Sequence, residues 1–257
     1  MTSTTTGRRA RNRAARHDQL LAAATELVAE SGLDGLTMQA LSERVDCAVG
    51  TIYTYFPSKS ALVASLMGDA IRHLMDTYHR AAARWDRELD DVDEPTAALT
   101  RILAFTQLFV ASRELHPREF EFLQMLITTP ESLIDPDDVA SVLPQSLAFL
   151  ADIHQLLEAA VQVGALDAVA GDESFRRTLR WTGAIHGALL VSNVADVSGL
   201  PNADAFSASG LADSVTRDLM LAWGAPAATL DDAEAELAIL SADGLVVPPA
   251  EAPPAEP

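Results

Sequence analysis

From Gly50 to Lys59 the chain reads G-T-I-Y-T-Y-F-P-S-K, which brings together two of its three tyrosines, two threonines and its only lysine. Phenol and threonine hydroxyls donate hydrogen bonds to phosphate oxygens, and an ammonium at the start of a helix adds charge where the helix dipole already favours anions. The chemistry on offer is therefore recognition. No nucleophile–base pairing, phosphate loop or paired-carboxylate arrangement occurs in the sequence, so it is read as a non-enzyme with no cofactor. One cysteine and six scattered histidines lack zinc-like spacing, and no metal is expected.

These residues need a short helix to carry them. Ala48 to Tyr55 is expected to form one, stopping because Pro57 biases Phe56 away from helical angles. Ile52 and Phe56, four apart, face the core, which leaves Val49, Thr51, Tyr53, Thr54 and Tyr55 to share the remaining surface. In a plain bundle the two tyrosines would instead be part of the core. Gly50 costs about 1 kcal/mol in a helix interior relative to alanine. Its presence implies either close approach by a phosphate or base edge, or a tolerated accident. Before this helix, Leu20, Leu21, Ala24, Leu27 and Val28 recur at helical spacing until Gly32 closes helix one. Thr37 caps a second helix carrying Met38, Leu41 and Val45, with Leu36 placed to staple against Leu41. Ser58 caps a long fourth helix running to about Trp85.

Three helices with a short turn between the second and third have the outline of a helix-turn-helix, spanning Thr37 to Phe56. The segment T-M-Q-A-L-S-E-R-V-D-C-A-V-G-T-I-Y-T-Y-F-P-S-K, from Thr37 to Lys59, closely resembles the TetR family of one-component regulators, and the resemblance covers about residues 15 to 65. It implies DNA contacts at Thr37, Cys47, Ala48, Val49, Gly50, Thr51, Tyr53, Thr54, Tyr55 and Lys59, with Lys59 as a phosphate-binding lysine.

Charge is distributed to match. The net charge of −19 would make a uniform surface repel DNA, but Arg8, Arg9, Arg11, Arg13 and Arg16 crowd the first seventeen residues with no acid among them. Residues 1–15 are expected to be a disordered basic arm, either a solubilising tail or a strand inserted into a minor groove. Residues 16–65 form the DNA-binding domain and 66–223 a helical effector-binding and dimerisation domain. Residues 224–257, rich in Ala, Pro and acids, are expected to be a disordered tail. The second domain shows helical patterns at about 96–113, 117–129, 145–163, 172–195 and 210–223, separated by Pro117, Pro130, Pro136, Pro144, Gly164, Gly171, Gly199 and Pro201. The fold class is all-α: a three-helix module with helix-turn-helix, then a helical bundle.

A palindromic operator needs two recognition helices about 34–36 Å apart, so homodimerisation is implied. Gly183, Ala184 and Gly187, with Leu211, Val215 and Leu219 on the last helix, are the candidate interface. Trp181, His186 and Gly187 resemble the tryptophan-histidine-glycine signature of one TetR C-terminal subfamily. Phe105, Phe109, Phe122, Met125, Phe149, His154, Trp181 and His186 are candidate contacts for a small-molecule effector, although most such residues are ordinary core. With no export signal or bilayer-length apolar run, the expected setting is cytoplasmic, with no membrane partner. The functional expectation is a ligand-responsive repressor of double-stranded operator DNA. The alternatives are an activator of the same architecture, or an all-helical carrier or enzyme with a degenerate DNA module.

Overall fold

The computed structural model describes the backbone of residues 3–128, 134–198 and 207–247, and within them the side chains of all but 3–6, 125–128 and 193–198. Ten helices, and no strand, lie among the described residues: α1 Ser3–Gly35, α2 Met38–Arg44, α3 Val49–Tyr55, α4 Lys59–Glu88, α5 Glu94–Leu115, α6 Pro117–Thr128, α7 Pro136–Gln162, α8 Glu173–Ser198, α9 Ala208–Ala222 and α10 Ala227–Ala242. The chain divides into two compact units, one built from residues 1–73 and 118–146, the other from 74–117 and 147–257. The first unit thus recruits α6 and the start of α7, which lie far beyond residue 65 in sequence.

In the first unit, Leu20, Leu36, Leu41, Ile52, Phe56 and Leu62 are fully buried. Each such side chain contributes about 1.5–3 kcal/mol relative to exposure. This seats α1, α2 and α3 on one small core. Gly32 adopts φ 68°, ψ 179° and breaks the helical path before the final turn of α1. That left-handed φ suits a residue with no Cβ. The turn between α2 and α3 passes through Asp46 at φ 49°, and the Cys47 amide donates to the Ser42 carbonyl at 3.0 Å. The Thr37 hydroxyl accepts from the Ala40 amide and the Ser58 hydroxyl from the Ala61 amide, capping α2 and α4.

The residues expected to be a disordered arm are helical from Ser3 onward. Ala10, Ala14, Ala15 and the arginines are strong helix formers, and a helix already nucleated at Leu20 propagates backward at little cost. Pro144, expected to mark a boundary, instead lies inside α7. Both Pro144 and Ala140, whose carbonyl loses its bond there, are exposed, so water can take that carbonyl.

In the second unit α5 is buried around most of its circumference, packing against α9 and α10, while α9 also packs on α8. Its hydroxyls are satisfied internally: Thr100 donates to the Thr96 carbonyl, and Thr106 bonds both the Ile102 carbonyl and the Thr216 hydroxyl. The tail expected to be disordered is largely helical. Residues 227–242 form α10, with Leu230, Ala233, Leu237 and Leu240 buried, and the Trp85 indole donates to the Leu245 carbonyl at 3.1 Å. The average composition is polar and Ala-rich, but the apolar spacing of three, four and three is a helical stripe. Residues 248–257 lie outside the described residues, as do Pro130, Gly199 and Pro201.

Candidate nucleic-acid interface

α3 turns Ile52 and Phe56 into the core and leaves Tyr53 half exposed, at 50%. Ala48, Gly50 and Thr54 are also exposed, while Cys47, Val49, Thr51 and Tyr55 are partly covered. A Cβ added at Gly50 would meet no atom within 4 Å. Nothing inside the protein therefore requires glycine at this point. The Thr54 hydroxyl donates to the Gly50 carbonyl at 3.1 Å and remains free to accept. Tyr55 carries the Arg13 guanidinium 5.7 Å above its ring, and His17 packs on Phe56 at 5.0 Å.

At the start of α4 the Lys59 ammonium donates to the Leu33 carbonyl at 2.8 Å, which steadies the side chain and leaves two donors for an outside acceptor. Arg44, the one arginine from Thr37 to Lys59, is held by Glu26 and Glu30. Its hydrogen bond to Glu30 draws that carboxyl below its ordinary range. The start of α7 is tied to that of α4: the Asp135 amide donates to Ser60 Oγ at 2.7 Å and Ser58 Oγ donates to Asp138 at 3.3 Å. The helix ends around Lys59 are thus braced from two directions.

The expected effector residues divide into separate places. In the second unit Phe105, Phe109 and Phe149 stack within 6.3 Å of one another, Trp181 lies 5.4 Å from Phe105, and His186 lies 5.0 Å from Phe109. Tyr78, which sequence reasoning missed, closes the cluster edge-on to Phe105; it falls on the stripe Ile71, Leu74, Tyr78, Ala81, Trp85 of α4. Burial pushes its phenol up to about 12. His154 is not in this group: it bonds the Thr178 hydroxyl and sits edge-on to Phe175. Phe122 belongs to the first unit, where it lines a charged cleft of about 620 Å³ between α1, α4 and α6. The side chain of Met125 lies outside the described residues.

The chain from the middle of α1 to the start of α4, residues 20–66, matches the family of bacterial regulatory proteins of the tetR type. Residues 20–66 are thus an N-terminal domain of the TetR type. In its N-terminal part it is 37% identical over 67 residues to the transcriptional repressor KstR of Mycolicibacterium smegmatis, a match covering 26% of this chain and 33% of that protein. The chain thus spans a third of the length of that curated relative. The fold extends further. A TetR-family regulator from Agrobacterium tumefaciens superposes over 81% of this chain and 97% of its own, with a TM-score of 0.52 and 18% identity. FadR from Bacillus subtilis, solved with stearoyl-CoA, does so over 79% and 96%, with a TM-score of 0.52 and 16% identity.

Two further features of the second unit matter. Trp181, fully buried, donates through its indole to the Thr216 hydroxyl. His186 donates from Nδ1 to the Thr182 carbonyl, which leaves Nε2 as an acceptor, buried and without a partner. Burial pushes the imidazole down, keeping it neutral. On the outer side of α8, Phe175, Leu179, Gly183, Gly187 and Val191 recur every four residues; the three large ones are 42–48% exposed. Ala184, Leu211, Val215 and Leu219 are partly covered. No helix among the described residues is long and apolar enough to cross a membrane, and no cluster of His, Cys, Asp and Glu among them could hold a metal ion.

Proposed function

We propose that the protein is a cytoplasmic, homodimeric repressor that binds a palindromic operator and releases it when a small molecule enters the second unit. The observation that carries this reading is the outward face of α3. Tyr53 and a glycine that no internal contact requires stand on a short braced helix, beside Lys59 at the next helix start. Val49 and Ala48 offer apolar contact to thymine methyls, while Thr37, Thr51, Thr54, Tyr53, Tyr55 and Lys59 address phosphates and base edges. Cys47 fills the turn between them.

The stripe on α8, with Leu211, Val215 and Leu219 on α9, supplies the dimer contact. Glycines at 183 and 187 let two helices approach closely. The effector is taken up by the aromatic cluster around Phe105, Phe109, Phe149 and Trp181. His186 Nε2, an acceptor that costs about 1–3 kcal/mol while unpaired, orients it. The relative KstR is a repressor, which supports the repressing sign, and FadR shows the same fold holding a ligand. Release requires only that the effector bind better to the conformation whose two heads no longer fit the operator.

The test is an anisotropy titration against DNA from upstream of the protein's own coding sequence and against a shuffled duplex. Tight binding to the first and weak binding to the second is expected; equal affinity for both would defeat the proposal.

A further inference from the structure

The face that docks on DNA is nearly devoid of free cations. From Thr37 to Ser58 the chain carries one arginine against two acids, Glu43 and Asp46, and that arginine is neutralised by Glu26 and Glu30. Lys59 alone remains. A protein that neutralises one phosphate per protomer gains little from counterion release. The missing charge stands on α1. Leu20, Ala24 and Leu27 form the apolar stripe that seats α1 on the core, and continued backward at helical spacing the same stripe becomes Arg16, Arg13 and Arg9. The stripe turns from apolar to cationic where the core ends, beside the C-terminal end of α3: His17 packs on Phe56 and Arg13 lies over Tyr55. Arg8, Arg9 and Arg11 make no ion pair among the described residues, and all three are exposed.

We propose that this arginine face is a second DNA contact, one that follows the phosphate backbone flanking the site read by α3. It rests on the reading of α3 as the DNA-docking helix. Its occupant is duplex DNA because the charge is complementary and the surface is continuous, through Arg13 and Tyr55, with the proposed interface. The contact is to phosphates and not into the minor groove. A helix with side chains is about 10–12 Å across, and the B-DNA minor groove is only about 6 Å wide. A disordered arm could thread that groove, but the helix observed cannot. From Arg16 to Arg9 the helix rises about 10 Å, enough to extend the contact past the bases that α3 reaches.

The experiment measures the salt dependence of binding to the upstream fragment and to a mixed-sequence duplex for the full chain, for R9A/R13A, and for R9K/R13K. Alanine preserves the helix, which circular dichroism verifies. For wild type a steep loss of affinity with salt is expected. In R9A/R13A the slope of log K against log salt should fall by about 0.9 for each phosphate that is no longer neutralised, roughly 3 to 4 for a dimer in which four arginines are removed. The lysine variant should stay near wild type. An unchanged slope in R9A/R13A, with wild type binding normally, overturns the arginine contact and leaves the α3 reading standing. Loss of affinity in the lysine variant confined to A·T-rich flanks would show groove insertion and overturn phosphate tracking. Wild type that binds neither duplex would overturn the α3 reading and this inference together.

Discussion

Gly50 separates stability from function at a single residue. Its Cβ position is empty and its backbone is ordinary helix, so Gly50→Ala should stabilise the protein by about 1 kcal/mol through helix propensity. If α3 docks on DNA as proposed, the added methyl points at it, and operator affinity should fall. Urea denaturation and anisotropy on the same variant read both effects; a variant that gains stability and binds as before would show that nothing approaches Gly50. His186 gives a residue-scale pH prediction. Its imidazole is held below its ordinary pKa by burial, so the unfolded chain binds the extra proton first. Stability from this residue is present above its ordinary range near pH 6.5 and is lost as pH falls through the lowered value. His186→Phe should flatten the decline in unfolding free energy between neutral and mildly acidic pH; an unchanged profile would mean that other groups set it. At this scale Ile52, Phe56, Thr37 and Gly32 are legible from spacing and residue type. The split among the effector residues is not: Phe122 and Phe105 look alike in sequence, and only tertiary packing assigns them to different units.

At the scale of elements, the helices of the DNA module and the bundle can be read from apolar periodicity and caps, with ends within a few residues except at the starts of α1 and α7. The arm and the tail escape that reading for a common reason: composition averages over a segment and hides its stripe. In α10, Leu230, Ala233, Leu237 and Leu240 cover α5, and Thr100 bonds the Ala233 carbonyl at 3.4 Å. Leu240→Ala should therefore cost about 2–5 kcal/mol, the usual range for a buried leucine. A disordered tail would show no loss in the same urea experiment. Pro144 misleads in the opposite direction, because proline's cost in a helix falls when the carbonyl it orphans faces water.

For the whole molecule, the acidic net charge and the DNA reading are reconciled by placement: five arginines and no acid stand in the first seventeen residues, on the helix that reaches α3, while acids outnumber basic residues in the chain as a whole, 37 to 18. The two-unit organisation is legible in outline, but the return of α6 and the start of α7 to the first unit is not, because it depends on packing between segments far apart in sequence. Dimerisation makes its own prediction. Leu179 is 48% exposed on the α8 stripe, so Leu179→Asp should leave the fold intact and shift sedimentation from dimer to monomer. A dimer that survives this change would place the interface elsewhere. The most direct test of the account is hydroxyl-radical footprinting on the DNA upstream of the coding sequence. It should show two symmetric protected half-sites with centres one helical turn, about 34–36 Å, or a multiple of that apart. A single unpaired footprint, or protection that does not depend on sequence, would contradict it.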